Sequence, residues 1–178
     1  MRVSTLIATG ASVAAAAAVG SLASKPAVQS NWYAQLRKPR YQPPAVVFPV
    51  VWPVLYADIA VVSASAIDEL HDRGDTRKLR GYLAALGFNL VLNGGWSWLF
   101  FNRHAFAASA AAAAALAASS ADLTRRAIDV RGAGAAPLAL YPVWCAFATV
   151  LSTHIWLLNR RSGHRVLREA RRGRPPSP

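Results

Sequence analysis

Ala45-Val-Val-Phe-Pro-Val-Val-Trp-Pro-Val-Leu-Tyr-Ala-Asp-Ile-Ala-Val-Val-Ser-Ala-Ser-Ala-Ile67 holds one charged side chain, Asp58. A helix rises about 1.5 Å per residue, so a stretch of this length can cross a hydrocarbon core of roughly 30 Å. Outward from it lie four more apolar stretches, Val3–Ala23, Gly81–Phe101, Ala105–Ala121 and Ala133–Leu158. The Ala105–Ala121 stretch is marginal in length. The pattern predicts an all-α membrane protein, a five-transmembrane-helix bundle built from residues 1–160. A first loop at 25–44 follows the first span. A basic, proline-ending tail at 161–178 is expected to be disordered.

The chain of 178 residues suits one domain. Hydrophobic residues make up 54%, yet mean hydropathy is only +0.24. Alanine explains the gap: Ala14–Ala18 and Ala110–Ala115 gain little from lipid and depend on close helix neighbours. The formal net charge is +12. Seven arginines crowd the tail (Arg160, Arg161, Arg165, Arg168, Arg171, Arg172, Arg174), opposed by Glu169 alone. Beside a membrane helix this favours anionic lipid as partner over nucleic acid. The single Cys145 excludes an intrachain disulfide and has no metal-ligand spacing around it. No Gly-rich phosphate loop, HExxH, CxxC or GxSxG occurs.

Five spans put the termini on opposite sides. Eight basic residues fall on the N-terminal side and twelve on the other. This bias predicts a cytoplasmic C-terminus with the first loop on the same side, and leaves inner and outer membrane both open. Arg2, the alanine-rich run and Ser21–Lys25 also have a leader-like pattern; the motifs that follow favour an uncleaved first span.

The first loop carries Asn31-Trp-Tyr-Ala-Gln-Leu-Arg-Lys-Pro-Arg-Tyr-Gln-Pro-Pro44. Its aromatics suit the headgroup zone, and its prolines stiffen the approach to the next helix. It reads as an interfacial belt or as a semi-rigid lid over a pocket. In the second span Pro49 and Pro53 lie in or near the first turns and at least one is expected to bend the helix, and Trp52 and Tyr56 share a face. Asp58 must face protein or water, or be protonated. The segment Asp68–Arg80, including His71, reads as a solvated loop. In the third span Asn89, Asn93 and Trp96 form one stripe; the two amides need partners across the bundle or from a polar ligand. Gly81 and Ala85 have the spacing of a weak helix-association motif. In the fifth span Trp144, Ala148 and Leu151 share a face, Pro137 and Pro142 disturb its start, and His154 reads as a hydrogen-bonded structural group.

These aromatic patterns resemble the TspO/MBR family, the tryptophan-rich sensory proteins related to the mitochondrial translocator protein. The resemblance rests on Trp32-Tyr33, Leu36, Lys38-Pro39, Pro43-Pro44, Phe48, Val51-Trp52 and Leu55-Tyr56. It continues in Leu92-Asn93, Trp96-Ser97 and Phe100-Phe101, and in Trp144, Phe147-Ala148-Thr149, Leu151, Trp156 and Asn159. It implies a five-helix fold, commonly a homodimer, with a pocket inside each bundle beneath the first loop. It implies protoporphyrin IX or a haem-type tetrapyrrole as ligand, with no obligatory cofactor and no metal. The ligand-binding residues it implies are Trp32, Lys38, Trp52, Tyr56, Asn89, Asn93, Trp96, Trp144 and Ala148. Asn89 stands where the family usually has Gln. Leu140 replaces a family Pro, Ser152 a common Asn, and Thr153 the Tyr of a cholesterol motif.

The leading expectation is thus a tetrapyrrole-binding membrane sensor or regulator. Trp52 and Trp144 would contact the macrocycle, Asn89 and Asn93 its polar edge, and Lys38 or Arg37 a propionate. Two alternatives are light-dependent porphyrin degradation, in which Trp52 and Trp144 would be the reactive partners, and tetrapyrrole transport.

Overall fold

The computed structural model describes the backbone of residues 1–171 and the side chains of residues 1–160. Its elements are α1 (Val3–Val28), a short α2 (Asn31–Gln35), α3 (Val47–Asp72) and α4 (Thr76–Ser97). A π-helical turn (Trp98–Asn102) extends α4. Then come α5 (Phe106–Arg131), a 3₁₀ segment (Gly132–Ala139) and α6 (Leu140–Arg171). Four helical stretches are long and apolar enough to cross a membrane, the last running from Phe106 to Arg160 and folding back on itself as α5 and α6. The architecture is an all-α membrane bundle. α6 carries helix past residue 160, where the sequence reading starts the tail; residues 172–178 and the expectation for them lie outside the described residues.

Several boundaries differ from the sequence reading, each for a local reason. α5 is 26 residues long, not a marginal 17. Its last turns are charged, but they satisfy themselves along the helix: Arg125 donates to Asp122 and Asp129, and Arg126 to Asp122, at 2.6–2.9 Å. The stretch Ala133–Leu158 is not one helix. Gly132 takes φ +57°, a conformation that suits glycine, and the chain turns through the 3₁₀ segment before α6 begins at Leu140. Pro142 therefore falls in the first turn of α6, where its missing N–H costs nothing. In α3 the same holds for Pro49; Pro53 lies inside the helix and removes the donor that the Pro49 carbonyl would have received.

Asp68–Arg80 is also not a loop. α3 continues to Asp72, and the turn comprises only Arg73, Gly74 (φ +67°) and Asp75, whose carboxylate caps α4 by accepting from the Lys78 N–H at 3.0 Å. Asp68 is buried. It accepts from the Thr5 hydroxyl at 2.6 Å and from the Arg2 N–H, so it ties the start of α1 to the end of α3.

α1 packs on α3 and α4, α4 packs on α5, and α5 packs most heavily on α6. Without a hydrophobic force separating helices from lipid, close backbone approach does this work. At Gly94 a Cβ would meet Val19 Cγ1 at 3.3 Å, and at Gly20 it would meet Ser97 Oγ at 3.2 Å. At Gly81 the one near atom is the flexible Arg126 Nη1 at 3.3 Å, so no close helix approach depends on it. α3 and α6 make little close backbone approach. Large rings from both helices fill the space between them.

Candidate functional site

Those rings sit toward the first-loop end. Trp52 on α3 stacks on Tyr56 one turn later, with centroids 5.3 Å apart, and meets Trp144 of α6 edge to face at 6.5 Å. Phe48 and Phe147 pack on Trp144 at 5.9 and 5.6 Å. A second cluster lies under the loop. Trp96, Phe100 and Phe101 pack mutually at 4.9–6.1 Å, and Leu36, Leu151 and Ile155 complete it. The π turn explains how α4 presents three rings together. In an α-helix Trp96 and Phe100 share a face and Phe101 turns away; the wider i to i+5 spacing, marked by the Arg103 N–H on the Trp98 carbonyl, brings Phe101 back beneath Trp96.

Below the rings runs a chain of hydrogen bonds with one direction. The Tyr56 hydroxyl donates to Asn93 Oδ1 at 2.8 Å, and Asn93 Nδ2 donates to the Tyr141 hydroxyl at 3.1 Å. Tyr141 donates to Asn89 Oδ1 at 2.8 Å, and Asn89 Nδ2 donates to Ser119 Oγ at 3.3 Å. The chain crosses α3, α4, α6 and α5. Each group accepts from one neighbour and donates to the next, so the bonds polarise one another. Asn89 and Tyr141 are fully buried, and this chain is how their polar atoms are satisfied.

Three other buried polar atoms are not satisfied among the described residues, one of them Gln42 Oε1 in the first loop. The Trp96 and Trp144 indole N–H groups are buried and have no hydrogen-bond partner among the described residues. Both belong to the aromatic clusters. Asp58 is half-buried in mid α3, at neither cluster.

The first loop is latched from outside. Asn159 of α6 grips the main chain of Arg37 at two points: its Oδ1 accepts from the Arg37 N–H at 3.2 Å, and its Nδ2 donates to the Arg37 carbonyl at 2.9 Å. The Tyr41 hydroxyl lies 3.1 Å from His154 Nδ1. Inside the loop, Lys38 Nζ sits 3.8 Å over the Tyr33 ring, and Gln42 Nε2 donates to the Tyr33 hydroxyl at 3.3 Å. Burial pulls the Lys38 ammonium below the ordinary lysine range and pushes the Tyr33 phenol above its own.

The residues singled out from sequence thus separate into groups. Trp52, Tyr56 and Trp144 come together, with Ala148 one helical turn after Trp144 and half-buried. Trp96 belongs to the adjoining cluster. Asn89 and Asn93 lie in the hydrogen-bond chain. Trp32 packs on the outside of the Trp96 cluster, edge to face with Phe100 at 6.5 Å, and stacks on His104 at 3.8 Å and on Phe106 at 6.2 Å, clasping α2 to the start of α5. Sequence reasoning missed Tyr141. A signal existed, since it lies three residues before Trp144 and a phenol within a span needs a partner.

The arrangement defines a class: an integral, multi-pass membrane bundle enclosing an aromatic site beneath a latched loop. Residues 8–157 match the TspO/MBR family, and the chain belongs to that family. The translocator proteins of Ovis aries and Homo sapiens are each 31% identical to it over 138 residues, 76% of this chain and 80% of theirs. Protein CrtK of Rhodobacter capsulatus is 28% identical over 146 residues, 82% of this chain and 87% of its own.

Proposed function

We propose that this protein is a membrane sensor or regulator that takes a protoporphyrin IX- or haem-type guest into the aromatic site beneath the first loop. The observation that carries the reading is the pair of buried, unpartnered indole N–H groups of Trp96 and Trp144 among stacked rings. A buried donor left unpaired costs about 1–3 kcal/mol. A flat aromatic guest with acceptor atoms would cover the rings and relieve both donors. Because Trp52 and Trp144 stand at 89°, a plate lying on the Trp52 face would meet Trp144 by its edge. A sandwich of the guest between two parallel indoles would require one ring to turn. Lys38, half-buried at the loop, supplies a cation for a carboxylate that stays near the interface. The excess of positive charge at the first-loop end supports a cytoplasmic placement of that end and of the C-terminus.

The test is a spectral titration of the purified protein with protoporphyrin IX. Trp52→Ala and Trp144→Ala should each weaken binding about tenfold, in line with aromatic contacts of roughly 0.5–1.5 kcal/mol beyond burial, while helical content holds. Unchanged affinity in both variants would remove the site.

A further inference from the structure

The charges at the two ends of the bundle are unequal in kind as well as number. Asp68, Glu69, Asp72, Asp75, Asp122 and Asp129 all lie at the end that holds the N-terminus, among eight basic residues. Asp58 lies mid-helix. At the first-loop end Lys25, Arg37, Arg40, Arg103 and Arg160 are exposed, and no carboxylate accompanies them among residues 1–160; Glu169 follows later in the sequence. Two of the five, Arg37 and Arg40, sit on the loop that covers the aromatic site. Asn159 holds only the main chain of Arg37, and the residue is exposed. Arg160 follows Asn159 directly, and Arg103 adjoins His104, on which Trp32 of α2 stacks. These exposed cations thus gather at the first-loop end of the bundle, two of them on the loop itself.

We propose that this group of cations docks the phosphodiester headgroups of anionic phospholipids, and that lipid bound at Arg37 and Arg40 holds the loop down over the site. A guanidinium matches a phosphate with paired N–H donors. A basic side chain near an anionic leaflet gains about 1 kcal/mol, or about fivefold in an equilibrium. The loop is already held by the Asn159 latch, the Tyr41–His154 contact and buried Leu36, and lipid bound at Arg37 and Arg40 adds to that hold, so lipid charge becomes a control on access to the site. The inference rests on the proposed tetrapyrrole reading only for what enters the site, and its test contains no tetrapyrrole.

The experiment follows hydrogen exchange of the full chain in nanodiscs, read at the Arg37 and Gln42 amides, which are bonded to Asn159 and to the Pro39 carbonyl. Replacing part of the phosphatidylcholine with phosphatidylglycerol should slow their exchange about fivefold per engaged arginine at low salt, less at high salt. The double variant Arg37→Gln, Arg40→Gln should lose the difference between lipids. The double variant Arg77→Gln, Lys78→Gln at the opposite end should keep it. Inorganic phosphate added to phosphatidylcholine discs should not reproduce it. Equal exchange in both lipids, a lipid effect that survives in the Arg37/Arg40 variant, or full replacement of lipid by free phosphate would each overturn the proposal.

Discussion

At the N-terminal end of the bundle, Thr5 and Arg2 bind Asp68, tying α1 to α3, and Arg131 and Arg73 bind Glu69 and the Val130 carbonyl, tying α3 to α5. At the first-loop end α3 and α6 meet through indole and phenyl rings, α4 and its π turn add a second ring cluster, and polar bonds are confined to the loop and its latches. Asp68 is buried, so breaking its bonds strands a carboxylate, while the more exposed Glu69 pairs add less. Ring contacts are individually weak and tolerate sliding. The N-terminal end, the base, is thus the more firmly tied of the two, and the proposed entry of a flat guest calls for movement at the ring end. The hydrogen-bond chain from Tyr56 to Ser119 marks the floor between the two regions.

Tyr141→Phe tests that floor and should give the largest effect. It removes two bonds and leaves Asn89 Oδ1 and Asn93 Nδ2 buried without partners, about 3 kcal/mol in reversible unfolding in mixed micelles. Asn93 would also lose the orientation that fixes the Tyr56 hydroxyl, so protoporphyrin affinity should fall about tenfold. A stable variant with unchanged affinity would mean that the chain has no influence on the ring end.

Asp68→Ala should come next. It frees the start of α1 and lowers the unfolding midpoint by several degrees, while protoporphyrin affinity stays at the parent value. Equal losses of stability and affinity would erase the distinction between base and ring end.

The sequence makes one side of this contrast more legible than the other. Lipid demands long apolar helices, so the spans are visible without any fold information. The ends of α3 and α5 are hidden because hydropathy counts Asp68, Asp122, Arg125, Arg126 and Asp129 as solvent signals. Pairing at i+3 and i+4, or across to α1, keeps them helical. The Asn89, Asn93, Trp96 stripe is readable from helix periodicity. The partner that links its two amides is not, because Tyr141 lies on another helix some fifty positions away and only packing brings it near. The latches are illegible for the same reason: Arg37 and Asn159 are 122 residues apart.

Asn159→Ala tests the covering loop alone. Its two bonds go to exposed main chain, where water can replace them, so the loss is about 1 kcal/mol and local. Exchange at the Arg37 amide should quicken about fivefold and bound protoporphyrin should leave faster, with the unfolding midpoint unchanged. A drop in global stability would show the latch to be part of the base.

The smallest effect belongs to Tyr41→Phe, and it separates the two kinds of contact within a single residue. Tyr41 reaches His154 through its hydroxyl and Phe147 through its ring, with centroids 6.4 Å apart. Removing only the hydroxyl deletes one solvent-exposed bond, about 0.5 kcal/mol, and should speed loop opening about twofold. Tyr41→Ala removes the ring as well. If ring contacts hold this end, the alanine variant opens several times faster than the phenylalanine variant, measured by exchange at Gln42. If the two variants open at the same rate, the polar latch holds the loop by itself, and the ring end depends on directional bonds as much as the base does.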